Sequence, residues 1–230
     1  MPVLYIANKN YSSWSLRPWF ALTVASYPFE ERLVRFVAGG SRQTFRAFSP
    51  TGTVPCLVDG DTVIWDSLAI VEYAAETQPH IWPADRDARA WARSAAAEMH
   101  SGFSALRARC SMTIGLRIRP HGIDEALARD IARVDALWSE GPARFGGPYL
   151  AGPEPTAVDA FFAPVVFRVQ TYGLKLSEPA SAYQRHMLAH PAMRAWEADA
   201  LAEDFRDPDH ERENATLGVV TQDLRTGADP

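Results

Sequence analysis

Cysteine is scarce in this chain. Cys56 and Cys110 are the only two in 230 residues. Two thiols give neither a disulfide framework nor a metal site, and free thiols point to a reducing cytoplasm. Positive charge is not in excess. Lys and Arg number 23 against 28 Asp and Glu, a net charge of −5, which argues against a nucleic-acid partner, since that needs a basic face. Long apolar runs are missing too. Hydrophobic stretches are short and broken by charge, so no membrane span is expected. Met1-Pro2-Val3-Leu4-Tyr5-Ile6 has no basic n-region and no long apolar segment. It reads as a strand and not as a signal peptide. No internal repeat or low-complexity tract is visible.

What is present suits an ordinary globular protein: 47% hydrophobic residues, 22% charged and seven Trp, in a length for one large domain or two small ones. Val3–Ile6 is apolar on successive positions and suits a strand buried on both faces. A polar loop, residues 7–13, follows. An apolar helix comes next, and Pro18 limits its start, because proline is harmless only in a first turn. That makes Ser15 the expected N-cap, with Pro18 third in the helix. Residues 32–37 read as a second strand and residues 41–48 as a short helix.

Residues 53–73 are the most informative stretch. Val54-Pro55 precedes a short apolar strand at residues 56–58. Asp59-Gly60-Asp61 is a turn, residues 62–65 form a second strand, and Asp66-Ser67 opens a helix carrying Leu68, Val71, Ala74 and Ala75. Pro55 cannot donate to a ladder, so it belongs at the strand's first position, an edge or a bulge. Cys56 in that strand reads as a buried apolar thiol. The first 78 residues thus run β-α-β-α-β-β-α.

These pieces resemble the thioredoxin-like domain of the cytosolic glutathione transferases. The resemblance covers about residues 3–204. It is to bacterial, serine-type members and is closest to the zeta class, which includes maleylacetoacetate isomerase. The motif Tyr11-Ser12-Ser13-Trp14-Ser15-Leu16-Arg17 is similar to the serine signature of that class. It differs in carrying Trp14 where the class has cysteine, and in having Pro18.

By resemblance, Ser12 matches the catalytic serine and Ser13 its neighbour. Ser15 is a further option, and Tyr11 a weaker one. Val54 and Pro55 would pair with the main chain of glutathione. Asp66 and Ser67 would hold its γ-glutamyl end, and Arg42 or Gln43 its glycine carboxylate. A hydroxyl beside a helix N-terminus suits a bound anion such as a thiolate. Glutathione would be the co-substrate, with no metal.

Beyond residue 78 the reading is helical. Residues 79–86 form a linker, residues 87–204 an all-helical bundle domain and residues 205–230 a polar tail. The tail lacks periodicity and is expected to be mobile or to lie over the surface. A proline-free helix is expected at residues 89–109 and an amphipathic one at residues 123–138. Thr156 and Asp159 form a capping box at the start of an apolar helix. The electrophile cleft would be lined by Tyr11, Trp14, Leu106, Arg107, Cys110 and Met112.

Three functions stay open: conjugation of glutathione to a small electrophile, zeta-like cis-trans isomerisation, and a non-catalytic glutathione-binding scaffold. For isomerisation the class pattern has a substrate-binding arginine where Thr171 stands here, one turn after Arg168. By resemblance the chain would act as a cytoplasmic homodimer.

Overall fold

The computed structural model describes residues 1–226. Its first part is a four-stranded sheet with helices. β1 (Val3–Ile6) leads to α1 (Ser13–Val24), β2 (Glu30–Leu33) and α2 (Arg42–Phe45). Then come β3 (Cys56–Asp59), β4 (Thr62–Trp65) and α3 (Ser67–Ala75). The strand order is β2-β1-β3-β4. β1 pairs parallel with β2 and antiparallel with β3, setting Leu4 opposite Leu57 and Tyr5 opposite Cys56. This is the expected α/β arrangement.

β1 alternates: Leu4 and Ile6 are buried, while Val3 and Tyr5 are half-buried. The expectation of two fully buried faces is therefore corrected. The strand sits one position from an edge, and Tyr5 stacks on Phe48 with ring centroids 4.2 Å apart. β2 begins earlier than expected and is exposed throughout. As the edge strand, it takes its limits from the β1 ladder and not from its own apolar residues.

α1 also starts earlier than expected. Ser12 is its N-cap, and Pro18 lies inside the helix at its sixth position, so the Trp14 carbonyl loses its usual i+4 donor. Ser15 is buried in the first turn. Its Oγ accepts from the Ala7 N–H at 3.2 Å.

The second part is mostly helical: α4 (Arg86–Ser101), α5 (Ser104–Arg109), α6 (Glu125–Phe145), α7 (Ala157–Tyr172), α8 (Glu178–Ala189) and α9 (Pro191–Ala202). The single helix expected at residues 89–109 is broken. Gly102 is extended, and a Cβ there would lie 2.8 Å from the Glu98 carbonyl oxygen. Phe103 adopts a left-handed φ of 57° and is buried near Phe162. α6 runs further than expected and includes Pro142.

α7 is buried along nearly all its length and packs on α1 and α4. Its start is held by Asp159. One carboxylate oxygen accepts from the Thr156 N–H (2.8 Å). The other accepts from the Leu150 N–H (2.9 Å) and the Tyr183 hydroxyl (3.1 Å). Burial pushes this carboxyl up to about 6.

The all-helical expectation is corrected, and the expected polar tail carries regular structure, with residues 227–230 outside the described residues. Residues after Phe205 form α10 (Pro208–Leu217) and β6 (Gly218–Asp223). β6 pairs antiparallel with β5 (Leu116–Pro120) in a second, two-stranded sheet. No helix among the described residues is long and apolar enough to cross a membrane.

Candidate active site

The loop before α1 is fixed from several sides. Tyr11 and Ser12 donate their N–H groups to the Asn8 carbonyl. Glu203 on the loop after α9 accepts from the Lys9 N–H at 2.6 Å. The Lys9 ammonium is buried against Glu31 and Asp199, and the Lys9 carbonyl accepts from the Trp196 indole at 3.0 Å. Asn10 Oδ1 accepts from the Gly115 N–H at 2.8 Å. A Cβ at Gly115 would fall 2.2 Å from Arg225 Cγ, so the loop contact admits only glycine there.

This bracing holds the start of α1 against a cavity of about 470 Å³. Ser12, Ser13, Trp14 and Tyr11 line it, together with Val54, Thr53, Ser41 and Arg42. Met112 and Arg168 close one side. Asp207, Asp209, His210 and Glu213 of the C-terminal segment form the roof.

Ser12 stands at the N-cap position, yet its side chain caps nothing. Its Oγ donates to Ser15 Oγ at 2.7 Å. Val54-Pro55 is a cis peptide, and Val54 lies on the cavity wall while Pro55 does not.

Other expected site residues stand elsewhere. Ser15 is fully buried away from the wall. Gln43 is exposed and off the wall, although its neighbour Arg42 is on it. Asp66 and Ser67 start α3 and are not on the cavity wall. Asp66 accepts from the Leu68 N–H (2.8 Å), has a left-handed φ of 75° and lies 3.4 Å from His100 Nε2. The Ser67 hydroxyl is buried without a partner among the described residues.

Three expected cleft residues are not cleft residues. Arg107 donates to the last-turn carbonyls of α4, Met99 and His100, and to that of the C-cap Gly102, and stacks on Trp14 at 4.7 Å. It therefore serves the broken helix end. Cys110 is fully buried, with burial pushing its thiol up to about 11. Leu106 is core. The Tyr11 hydroxyl does face the site, but it is already engaged. It donates to Glu211 at 2.6 Å and takes a 3.3 Å contact from Arg225. Burial first, then Glu211, pushes it far above the phenol range, so it is a poor donor to a thiolate.

Arg168 is a buried cation on the cavity wall. Its Nη1 donates to the Cys110 carbonyl at 2.6 Å, and burial first, then Arg107, holds it down to about 10. Thr171 instead donates to the Thr113 carbonyl and is buried off the wall. Arg17 is buried across Trp14 from Arg107, with Cζ 4.0 Å from the ring centroid. Its Nε and Nη1 are unpartnered among the described residues.

A serine pair at a braced helix start shares an open cavity with Val54 of a cis Val-Pro peptide. The family description "Glutathione S-transferase, N-terminal domain" matches residues 11–77, and "Glutathione S-transferase, C-terminal domain" matches residues 89–199. The chain belongs to the glutathione S-transferase family.

Among relatives, it is 31% identical to glutathione S-transferase Z2 of Arabidopsis thaliana over 170 residues, spanning 69% of this chain and 74% of that one. It is 27% identical to maleylacetoacetate isomerase of Rattus norvegicus over 215 residues, spanning 90% and 94%. Among solved structures, a glutathione transferase homolog from Burkholderia with bound glutathione superposes with a TM-score of 0.63. That match has 21% identity and covers 86% of this chain and 97% of that one.

Within this transferase the roof residues Asp207, Asp209, His210 and Glu213 were not expected. A signal for them existed. Asp207-Pro208-Asp209-His210-Glu211 is an N-cap, a proline at the first helical position and acid in the first turn.

Proposed function

We propose that the protein binds glutathione along Val54 and ionises its thiol at the N-terminus of α1, with the Ser12 hydroxyl as donor, for attack on a small electrophile. The observation that carries this is the placement of Ser12. It sits where a capping serine would sit, its hydroxyl caps no backbone N–H and bonds the Ser15 hydroxyl instead, and it lines the cavity. Rotation of two hydroxyls reverses the Ser12–Ser15 bond. The Ala7 N–H then donates to Ser15, Ser15 to Ser12, and Ser12 to sulfur. Aligned donors of this kind strengthen one another.

The energies suffice. A thiol ordinarily ionises near pH ~8.5, and lowering that by about two units needs roughly 2.7 kcal/mol. A hydrogen bond to a charged acceptor contributes about 1.5–3 kcal/mol, and a helix terminus about 0.3–1 kcal/mol. The γ-glutamyl end would reach Asp66 and the N–H groups at the start of α3, and Arg42 would take the glycine carboxylate. Ser13, on the same wall, is the neighbouring donor.

Titration of bound glutathione by thiolate absorbance tests this. The wild type should ionise well below pH 8.5, and Ser12→Ala should move the transition up by about one to two units. An unshifted thiol in the wild type would leave binding without activation and favour a scaffold.

Arg168 supports a second reading. A guanidinium on the cavity wall suits a carboxylate-bearing substrate, as a maleylacetoacetate-type isomerase requires. Parallel assays of maleylacetone isomerisation and chloronitrobenzene conjugation separate the two. Arg168→Met should lower the first far more than the second if isomerisation is the activity.

We also propose a cytoplasmic homodimer. Val63 and Trp65 stand 38% and 46% exposed on edge strand β4, an apolar strip a second copy would cover. A monomer in sedimentation would refute it.

A further inference from the structure

Ionising glutathione at this site releases a proton, and the serine donor cannot hold it. A hydroxyl that donates to sulfur has no basic lone pair to offer at neutral pH. The roof of the cavity carries a group that does.

Asp207 and His210 line the same cavity as Ser12 and Ser13. Asp207 is buried. Its Oδ2 accepts from the His210 backbone N–H at 3.1 Å and lies 2.6 Å from His210 Nδ1. A carboxylate only accepts, so Nδ1 carries the ring hydrogen and Nε2 keeps its lone pair. Nε2 has no partner among the described residues and is not among the enclosed unpartnered atoms.

The ring is fixed sideways as well. It stacks on Tyr11, the residue before Ser12, with centroids 4.8 Å apart and planes at 21°, and it lies 4.8 Å from the Phe36 ring. Asp207 Oδ1 is buried without a partner. A half-satisfied buried carboxylate is costly, and a positive charge on the adjoining ring relieves it.

We propose that His210 is the base that takes the thiol proton of glutathione, positioned by Asp207. This deepens the reading above and rests on it. Asp207 is also the N-cap of α10, and a cap alone would account for the use of Oδ2. It leaves Oδ1 and Nε2 unused, and it does not require the imidazole to line the cavity of the serines.

The step balances within the site. The S–H bond breaks, its electron pair stays on sulfur, and the proton bonds to Nε2. The thiolate–imidazolium pair then replaces a thiol and a neutral ring. In a substitution, sulfur bonds to carbon, the leaving group departs with its electron pair, and the imidazolium returns the proton to it or to water. In an addition, the neighbouring carbon takes that proton.

The charged and titratable groups facing His210 are Tyr11 before α1, Arg42 on α2, Arg168 on α7, and Asp209 and Glu213 on its own helix. Glu211 and Arg225 are bound to each other behind the Tyr11 hydroxyl. Counting Asp207, three carboxylates and two guanidinium groups share the cavity lining with His210.

Proton counting tests this. Glutathione binding is measured by calorimetry at pH 7.5 in buffers of different ionisation enthalpy, beside thiolate absorbance. If His210 keeps the proton, the wild type forms thiolate with little net release. His210→Asn retains an N–H donor for Asp207 but has no basic nitrogen. It should either lose the thiolate band or form it with about one proton released per site. Its kcat/KM should fall about 10²-fold near pH 6.5, with the deficit shrinking as pH approaches ~8.5, where the free thiol ionises unaided.

Asp207→Asn keeps a capping oxygen and should reduce the thiolate fraction in the same sense. It serves as the second variant if His210→Asn does not fold. Wild-type thiolate accompanied by about one proton released, unchanged in both variants, overturns the assignment and leaves the serine reading standing. Glutathione bound with no thiolate in the wild type overturns both. Variants that shift only the melting temperature, with proton count and pH profile intact, make the pair a helix cap and nothing more.

Discussion

The α1 wall of the cavity and the α10 wall meet where His210 stacks on Tyr11, and different forces hold them. α1 buries Leu16, Phe20 and Leu22 completely and packs along α7 and α3. At about 25 cal/mol per Å² of apolar surface, such residues each contribute roughly 1.5–3 kcal/mol. α10 buries only Asn214. It is tied by polar bonds: Glu211 to Tyr11 and Arg225, Asp209 to the Gly39 N–H at 2.8 Å, and Asn214 to Ser111 at 3.0 Å. Apolar packing fixes the wall that carries the serines. Paired charges, which open locally at lower cost, fix the wall that carries His210. A substrate that enters under α10 would use that difference.

The largest effect belongs to the α1 wall. Ser12→Ala should lower kcat/KM by about 10²–10³-fold, the usual cost of removing one donor to a developing anion. A loss of less than threefold would move the role to Ser13.

The α10 wall should break next. Arg225→Ala strands Glu211 and Asp223, which it now pairs at 2.7 and 2.5 Å, at a cost of about 3 kcal/mol. Because the tie is local, amide exchange should accelerate across β6 while α7 stays protected. Uniform acceleration would mean that the two walls share one cooperative unit.

The same contrast explains what could be read from the chain alone. Val54-Pro55, the hairpin around Gly60 and the Asp66-Ser67 helix start follow from turn chemistry and strand patterning, and all are found. The capping residues Thr156 and Asp159 were legible for the same reason. The roof was legible only in its helix start at Asp207-Pro208, because the residues that follow, to 223, have almost no apolar periodicity. They gain order from side-chain bonds to residues 100 or more positions away, such as Asn214 to Ser111 and Thr221 to Arg117. Arg107 and Cys110 are off the cavity wall, and the unbroken helix expected at residues 89–109 did not foresee the end at Ser101 that Arg107 caps.

A pH experiment sharpens the comparison from the packed side. The Asp159 carboxyl is raised by burial from 3.8 to about 6. A raised carboxyl contributes most when protonated, so its share of stability is complete below about pH 4 and is lost as pH climbs through about 6. Urea unfolding should show that decline in the wild type, and Asp159→Asn should flatten it. A slope that persists in the variant would place its origin elsewhere.

The smallest effect is expected from Tyr11→Phe. It removes one bond to Glu211, worth about 1 kcal/mol, and should change kcat by no more than about threefold, with the rise confined to KM. Loss of the glutathione thiolate in this variant would make Tyr11 the donor.

A crystal structure with glutathione bound tests the central claim most directly. The account predicts the cysteinyl main chain paired with the backbone of Val54 and the sulfur within about 3.5 Å of the Ser12 or Ser13 hydroxyl, beneath α10. Glutathione seated elsewhere, or its sulfur turned away from both serines, would contradict it.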